Sequence, residues 1–413
     1  MSSCASGRRP SASRTENDQD NVPPSRMTGH PDDRQRPAPI RRPGSATLEV
    51  IGTDDGARWE AVLADVAQHD FHHLVGYHRL AEYHGEGTAK LFSFRSSRYL
   101  VATPLLLRPI DPMDPAGPQD ATSVYGYAGP VSSHVDVPPE VVRDFEEAFR
   151  EELVRRNVVA VFSRLHPLIR QSHLLAGLGE IHPTGPTVSV DLTLPVEEQW
   201  AGYSKGTRRL IRRALDAGVV CVHDQTLDWL AEWAEAYAET MRRVGASGAY
   251  NFDLAYFERM AAELGSVMHL FVALVDGRLA AGGLFTSCDG IVQAHLGALR
   301  AEYAALSPVR LVDDTARRWA ADSAARVFHL GGGVGGREDS LFQYKAGFSD
   351  RRHLQSTWRW IVDVGLYERL SKEHPRSEGP GGDQPDDYFP AYRRPNGHAP
   401  GSDGGPTHSS GNP

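Results

Sequence analysis

His329-Leu330-Gly331-Gly332-Gly333-Val334-Gly335-Gly336-Arg337-Glu338-Asp339-Ser340-Leu341-Phe342-Gln343-Tyr344-Lys345-Ala346-Gly347-Phe348 is the stretch on which the reading of this chain turns. The apolar run from Val327 to Leu330 predicts a strand that ends in a series of glycines. Glycine lets a backbone approach a ligand closely and turn its N–H groups toward one anionic point, which marks Gly332 and Gly333 as candidate substrate-binding positions. Asp339 or Ser340 then caps a short helix whose last turn presents Tyr344 and Lys345. The competing reading is a flexible loop with a surface lysine. Composition weighs against it: of 44 basic residues only four are lysines, Lys90, Lys205, Lys345 and Lys372. Where arginine has taken the generic positive charges, a retained lysine points to what its compact, proton-exchanging ammonium can do and a guanidinium cannot. No Gly-Lys-Ser/Thr closes the segment and no suitable acidic strand follows it, so it is neither a phosphate loop nor a dinucleotide fingerprint.

Working outward, Pro308 to about Ala324 reads as a helix beneath this loop. Before it, about Val267 to Ala298, three strands are joined by Asp276-Gly277 and Asp289-Gly290, dipeptides that supply positive φ for tight hairpins. Two helices, Leu227 to Val244 and Leu254 to Leu264, precede this meander, with Trp229, Trp233 and Tyr237 at core spacing. Pro195 opens one helix expected to run through Trp200 and Leu210 to about Ala217, where Gly218 stops it. The first half repeats the plan. A strand near Leu48 to Ile51 and helices over Asp55 to Val66 and Leu74 to Tyr83 lead to a hairpin around Arg95-Ser96-Ser97-Arg98. A strand near Ser123 to Tyr127, an amphipathic helix started by Pro138-Pro139-Glu140 and running to about Arg156, and strands at Val158 to Phe162 and Thr187 to Leu192 follow. This element order, occurring twice, describes an α+β chain with a duplicated unit, 46–194 and 195–371. The flanks, 1–45 and 372–413, are rich in Pro, Gly, Ser and charge and are expected to be disordered, with Tyr388-Phe389-Pro390-Ala391-Tyr392 as a possible aromatic anchor.

A second motif is Tyr203-Ser204-Lys205-Gly206-Thr207-Arg208-Arg209-Leu210-Ile211-Arg212-Arg213. Helical spacing gathers Lys205, Arg208, Arg209 and Arg212 into a phosphate-sized patch without an acid among them. A solvated helix face is the plain alternative. Tyr125 and Tyr127, between glycines, are candidates to line an acceptor groove or to pack within a sheet, and Arg164, at the end of a buried-type strand, to meet an anion or cap a loop.

The Leu-Gly-Gly-Gly run followed by Phe-Gln-Tyr-Lys-Ala-Gly-Phe resembles the closing motif of the Fem family of aminoacyltransferases and their relatives with a duplicated acetyltransferase-like (GNAT) fold. The resemblance extends through the helix at 308–324 and the meander, and more faintly to Tyr125-Gly126-Tyr127-Ala128-Gly129-Pro130 and Ser163-Arg164-Leu165-His166-Pro167. It implies two tandem GNAT-like domains with mixed, largely antiparallel sheets. It also implies transfer of an amino acid from aminoacyl-tRNA to an amine of a peptidoglycan precursor or a peptide natural product. By the same resemblance Lys345 stabilises the tetrahedral oxyanion, no metal or other cofactor is used, and a Lys-x-x-x-Arg element stands where Lys205 and Arg209 are. Such a patch would grip tRNA phosphates or the diphosphate of a nucleotide- or lipid-linked acceptor. One departure is plain: the stretch between Ala217 and Leu264 has no space for the long charged helical hairpin of some relatives, so tRNA recognition requires another surface.

Composition excludes several classes. A net charge of −9 argues against a uniformly basic nucleic-acid binder, leaving only local patches. Cys4, Cys221 and Cys288 are too few and scattered for a disulfide framework or metal cluster. His69 and His73 have the spacing of a ligand pair, but no acidic third ligand is evident, so no metal is expected. No apolar stretch is long enough to span a bilayer and no signal core follows the basic amino terminus, which predicts a cytoplasmic protein with at most transient membrane-surface contact. Two alternatives stay open: an acyl-CoA-dependent N-acyltransferase, although the usual Arg/Gln-x-x-Gly-x-Gly/Ala diphosphate turn is missing, and a noncatalytic binder of cell-wall peptides.

Overall fold

The computed structural model describes residues 46–246, 250–373 and 388–394. The segments read as a disordered arm and tail fall mostly outside these residues. In the first half come β1 (Thr47–Gly52), α1 (Gly56–Leu63), α2 (Val75–Tyr83), β2 (Thr88–Ser96), β3 (Tyr99–Pro109), β4 (Gln119–Thr122), β5 (Val131–Ser132), α3 (Pro139–Arg155), β6 (Val158–Leu165) and β7 (Glu180–Asp191). The second half begins with α4 (Val196–Ala201), α5 (Lys205–Asp216), β8 (Val220–Asp224), α6 (Leu230–Arg243) and α7 (Leu254–Leu264). It continues with β9 (Met268–Val275), β10 (Arg278–Cys288), β11 (Ile291–Leu299), α8 (Pro308–Ala321), β12 (Val327–Gly332), α9 (Ser340–Ala346), β13 (Arg352–Ile361) and α10 (Val364–Glu373).

Strand pairing carries the repeat further than element order does. One sheet runs β1-β2-β3-β4-β6-β13-β7-β12-β11-β10-β9-β8, with β5 beside β3. Read from its two ends, it is the same sheet twice: three antiparallel pairings, then a parallel one, β4 with β6 and β11 with β12, then an antiparallel partner. That last partner is exchanged. β7, from the first half, pairs with β12, and β13, from the second, pairs with β6. Periodicity identifies a strand but not its neighbour, so the exchange is invisible in the sequence.

Two sequence expectations change. The helix expected over Pro195–Ala217 is broken at Gly202-Tyr203-Ser204, because Ser204 accepts a hydrogen bond from the Thr207 N–H and starts α5 afresh. Tyr203 turns inward at the break, and its hydroxyl donates to Asp314 at 3.0 Å. The strand expected over Ser123–Tyr127 lies earlier, at β4; Gly126 and Gly129 take positive φ there and turn the chain out of the sheet.

The core is shared between the halves: Trp59, Phe71 and Tyr77 join Trp233, Tyr237 and Phe257 in one cluster where α2 meets α7. Trp233 is fully buried over Gly282 of β10, where a Cβ would fall 2.5 Å from its ring. Trp233→Ala is expected to lower unfolding stability by about 3–5 kcal/mol, the usual result of a large core cavity; a denaturation midpoint equal to that of the unmutated protein would contradict this packing account. The aromatic anchor does dock. Phe389 stacks on Tyr367 of α10 with ring centroids 5.7 Å apart, Tyr392 is buried, and Arg393 pairs with the Asp120 carboxylate at 2.7 Å.

Candidate active site

The parallel strands of each half part after a short run of shared rungs, and the two partings differ. Between β4 and β6 the gap is filled by the chain itself: the Ser123 N–H donates to the Phe162 carbonyl, and Ala128 bridges to Leu165. Between β11 and β12 the rungs end at Gln293 and His329, and past them β12 continues as Gly331-Gly332. Helix α9 follows, capped by Asp339, which accepts from the Phe342 and Val334 N–H groups at 2.9 Å. Its last turn brings the half-buried Lys345 back over β12, where the ammonium donates to the Gly332 carbonyl at 2.7 Å.

The glycines of the motif do different work. A Cβ on Gly333 would collide with the Arg337 carbonyl and Asp339, and one on Gly336 with the Thr184 carbonyl of β7. These two let the protein pack closely on itself at Arg337, Asp339 and Thr184. Gly335 is the exposed one, with open space where its Cβ would be, whereas the buried Gly331 faces side-chain donors. Gly331 has φ +77°, and its missing Cβ would lie 3.3 Å from Lys345 Nζ, 3.4 Å from Tyr127 Oη and 3.9 Å from Gln293 Nε2. All three groups are donors, and the ammonium and the amide retain N–H groups beyond those given to Gly332 and Ala294. Gln293 is oriented by the His329 Nδ1–H, which donates to its Oε1.

Burial pulls the Lys345 ammonium down to about 8, while Asp313 and Asp339 draw it upward. Asp313, on α8, is itself pushed up to about 6 by burial, although the Tyr344 hydroxyl donates to it at 2.6 Å. If protonated Lys345 is the working form, kcat should fall above pH 8 with an apparent pKa near 8. Lys345→Arg should move that alkaline limb beyond the measurable range. A limb left in place by the arginine variant would assign it to another group.

Tyr127 reaches this point from the first half. Its ring is surrounded by three imidazoles, with centroids at 5.8 Å for His72, 6.1 Å for His166 and 5.4 Å for His329. Two of them hang on one fully buried carboxylate: Asp70 Oδ2 accepts from His72 Nδ1 at 3.0 Å and His166 Nε2 at 3.1 Å, and Oδ1 from the Phe71 N–H. These donors hold Asp70 well below the usual carboxylate range despite its burial. Asp70, His72, His166, His329 and Gln293 had no role in the sequence reading, and the Asp70–His166 bond joins positions too distant for any local pattern to reveal.

The histidine pair singled out by spacing does not assemble. His69 faces Asp289, whereas His73 Nδ1 accepts from the Asp70 N–H. Asp70, His72 and His166 do bring three ligand atoms within 4.8 Å. The Leu168 N–H donates to His166 Nδ1 at 3.1 Å, however, which places the His166 proton on Nε2, aimed at Asp70. The cluster is thereby organised as hydrogen bonds to a carboxylate.

The remaining expected positions are spread around this point. Helix α5 begins where α9 ends: the Ser204 N–H donates to the Gly347 carbonyl at 2.9 Å. Lys205, Arg209 and Arg212 are exposed along α5, Arg212 over the Trp200 ring, while Arg208 is half-buried and donates to the Ala201 carbonyl. Tyr344 lies under Arg310, 4.4 Å from its ring centroid, with its hydroxyl committed to Asp313. Tyr125 packs on Tyr250 and His295. Arg164 is exposed over Phe162 and lies within electrostatic reach of Tyr125 and Tyr127.

Comparison with known proteins agrees with this architecture. Residues 201–346, which end just past Lys345, match the family model of the acetyltransferase (GNAT) domain. The crystal structure of FemX superposes with a TM-score of 0.58 at 14% identity, over 78% of this chain and 99% of that one. A conserved protein of unknown function from Bacteroides thetaiotaomicron gives 0.51 at 10% identity, over 77% and 100%. No curated protein matches the sequence. At these identities the likeness establishes the fold: an α+β chain of two acetyltransferase-like halves, similar to FemX. The matches support acyl transfer in general, from an acyl donor to an amine. Among the described residues no helix is long and apolar enough to cross a membrane.

Proposed function

We propose that this acyltransferase-fold chain, built from units 46–194 and 195–371, forms an amide by moving an amino acid from aminoacyl-tRNA to an amine of a peptidoglycan precursor or a peptide natural product. One observation carries the reading: donors from both halves, led by the Lys345 ammonium, converge beside Gly331, within 4 Å of where its Cβ would lie. An aminoacyl ester is already activated. The enzyme has to bring an unprotonated amine to the carbonyl and neutralise the charge that grows on oxygen. With the carbonyl oxygen over Gly331, the amine nitrogen bonds to carbon and the π electrons move to an oxygen facing Lys345. Collapse then expels the ribose oxygen, which takes up the proton lost by the amine. Helix α5, whose Lys205, Arg209 and Arg212 enter no ion pair among the described residues, offers phosphate contacts beside α9.

The match of 201–346 to an acetyltransferase domain favours a second reading, an acyl-CoA donor. One assay separates them. Purified protein is incubated with a pool of charged tRNAs, or with acyl-CoA, and with candidate amine acceptors, and amides are sought by mass. Product abolished by RNase supports the first reading; product that survives RNase and requires the CoA ester overturns it.

A further inference from the structure

We infer that Tyr127 is a catalytic residue, its hydroxyl hydrogen meeting the same developing oxyanion as Lys345, and that Asp70, through His72 and His166, is the positioning residue that holds it there. The inference rests on the acyl-transfer reading of the site and is indifferent to whether the donor is a tRNA ester or a CoA thioester. Both pass through an anionic tetrahedral oxygen.

Position is the first argument. Tyr127 Oη and Lys345 Nζ flank Gly331 almost equally, at 3.4 and 3.3 Å from the absent Cβ, and they come from opposite halves. The neighbouring Gly332 backbone favours negative charge on the phenol oxygen, against the effect of burial. Burial pushes this hydroxyl up to about 12, so it keeps its proton and acts as a donor throughout the neutral range.

The surroundings supply the second argument. A buried carboxylate without a cationic side chain beside it is costly to keep, and Asp70 has no arginine or lysine partner among the described residues. What it has is two imidazoles, and both abut the Tyr127 ring edge-on, at interplanar angles of 79° and 77°. His72 is also wedged into the turn that carries Tyr127. A Cβ on Gly126, at φ +113°, would lie 2.0 Å from His72 Nε2, so the turn is moulded on that ring and cannot shift independently of it. The Tyr77 hydroxyl pins the same turn by donating to the Tyr125 carbonyl at 3.1 Å. Asp70 thus fixes two rings, the rings fix one tyrosine, and the tyrosine faces the reacting oxygen. Over a turnover Tyr127 donates a hydrogen bond and neither gains nor loses a proton.

The test is a kinetic cycle on the full chain, with whichever donor gives amide product. Tyr127→Phe retains the caged ring and deletes only the hydroxyl; kcat should fall about 10²-fold, the usual result of losing one oxyanion donor, with KM for donor and acceptor little changed. Asp70→Asn should lower kcat in the unmutated background yet add almost nothing to Tyr127→Phe, a non-additivity that a purely structural role would not produce. Should Asp70→Asn fail to fold, His72→Asn replaces it in the cycle, because its amide can still donate to Asp70 while the ring edge on Gly126 and Tyr127 is lost. If the unmutated protein makes no amide from either donor, the functional reading falls and takes this inference with it. If it turns over and Tyr127→Phe keeps kcat within about threefold, or the two losses simply multiply, this inference alone is overturned.

Discussion

Lys345→Ala is expected to lower kcat on the order of 10²- to 10³-fold, the range found when one donor to a tetrahedral oxyanion is removed, while binding of donor and acceptor changes little. The ammonium touches the protein through the Gly332 carbonyl, an interaction that water can replace in the alanine variant, so the fold should tolerate the change. Its contribution is electrostatic and peaks in the transition state, because only there does the oxygen over Gly331 carry a full charge. Single-turnover rates at saturating substrate read this directly. A rate within about threefold of the unmutated protein would mean that the charge is met elsewhere.

The second large effect is on stability. His72, His73, His78 and His329 are buried, and burial lowers each of them below the ordinary histidine range, His78 to about 4. In the unfolded chain each takes up a proton near pH 6.5. Between pH 6.5 and the lowered folded values the unfolded state therefore binds more protons. The stability these imidazoles contribute is fully present above pH 6.5 and is lost as pH falls. His78, at about 4, represents roughly 2 kcal/mol by pH 5, and the other three act in the same direction. Asp70, held low by its imidazole donors, adds in the same direction below the usual carboxylate range. Urea unfolding at pH 7.5, 6 and 5 is expected to show midpoints that collapse across that interval. A midpoint indifferent to pH would show that the imidazoles are hydrated and titrate freely.

What could be read in the sequence and what could not divides along physical lines. Lys345 was legible because two local signals met there: a run of glycines closing a strand and a lysine in a chain that otherwise uses arginine. The meander was legible because Asp276-Gly277 and Asp289-Gly290 announce their turns; both aspartates do take positive φ. The basic character of α5 was equally plain, but not its start, where Ser204 caps the helix beside Tyr203, whose hydroxyl bonds to Asp314 on a helix distant in sequence. Nothing local marked Asp70. It stands among histidines whose spacing suggested His69 and His73, and only the fold brings His166 to it. Gly336 shows the same limit: its freedom serves a close approach to Thr184, on a strand contributed by the other half.

A crystal structure with a tetrahedral phosphonate analogue of the aminoacyl ester would test the central claim most directly. The account predicts an anionic phosphonate oxygen beside Gly331, within hydrogen-bond distance of both Lys345 Nζ and Tyr127 Oη, about 2.7–3.1 Å. An analogue bound elsewhere, with Lys345 still turned only to the Gly332 carbonyl, would contradict it.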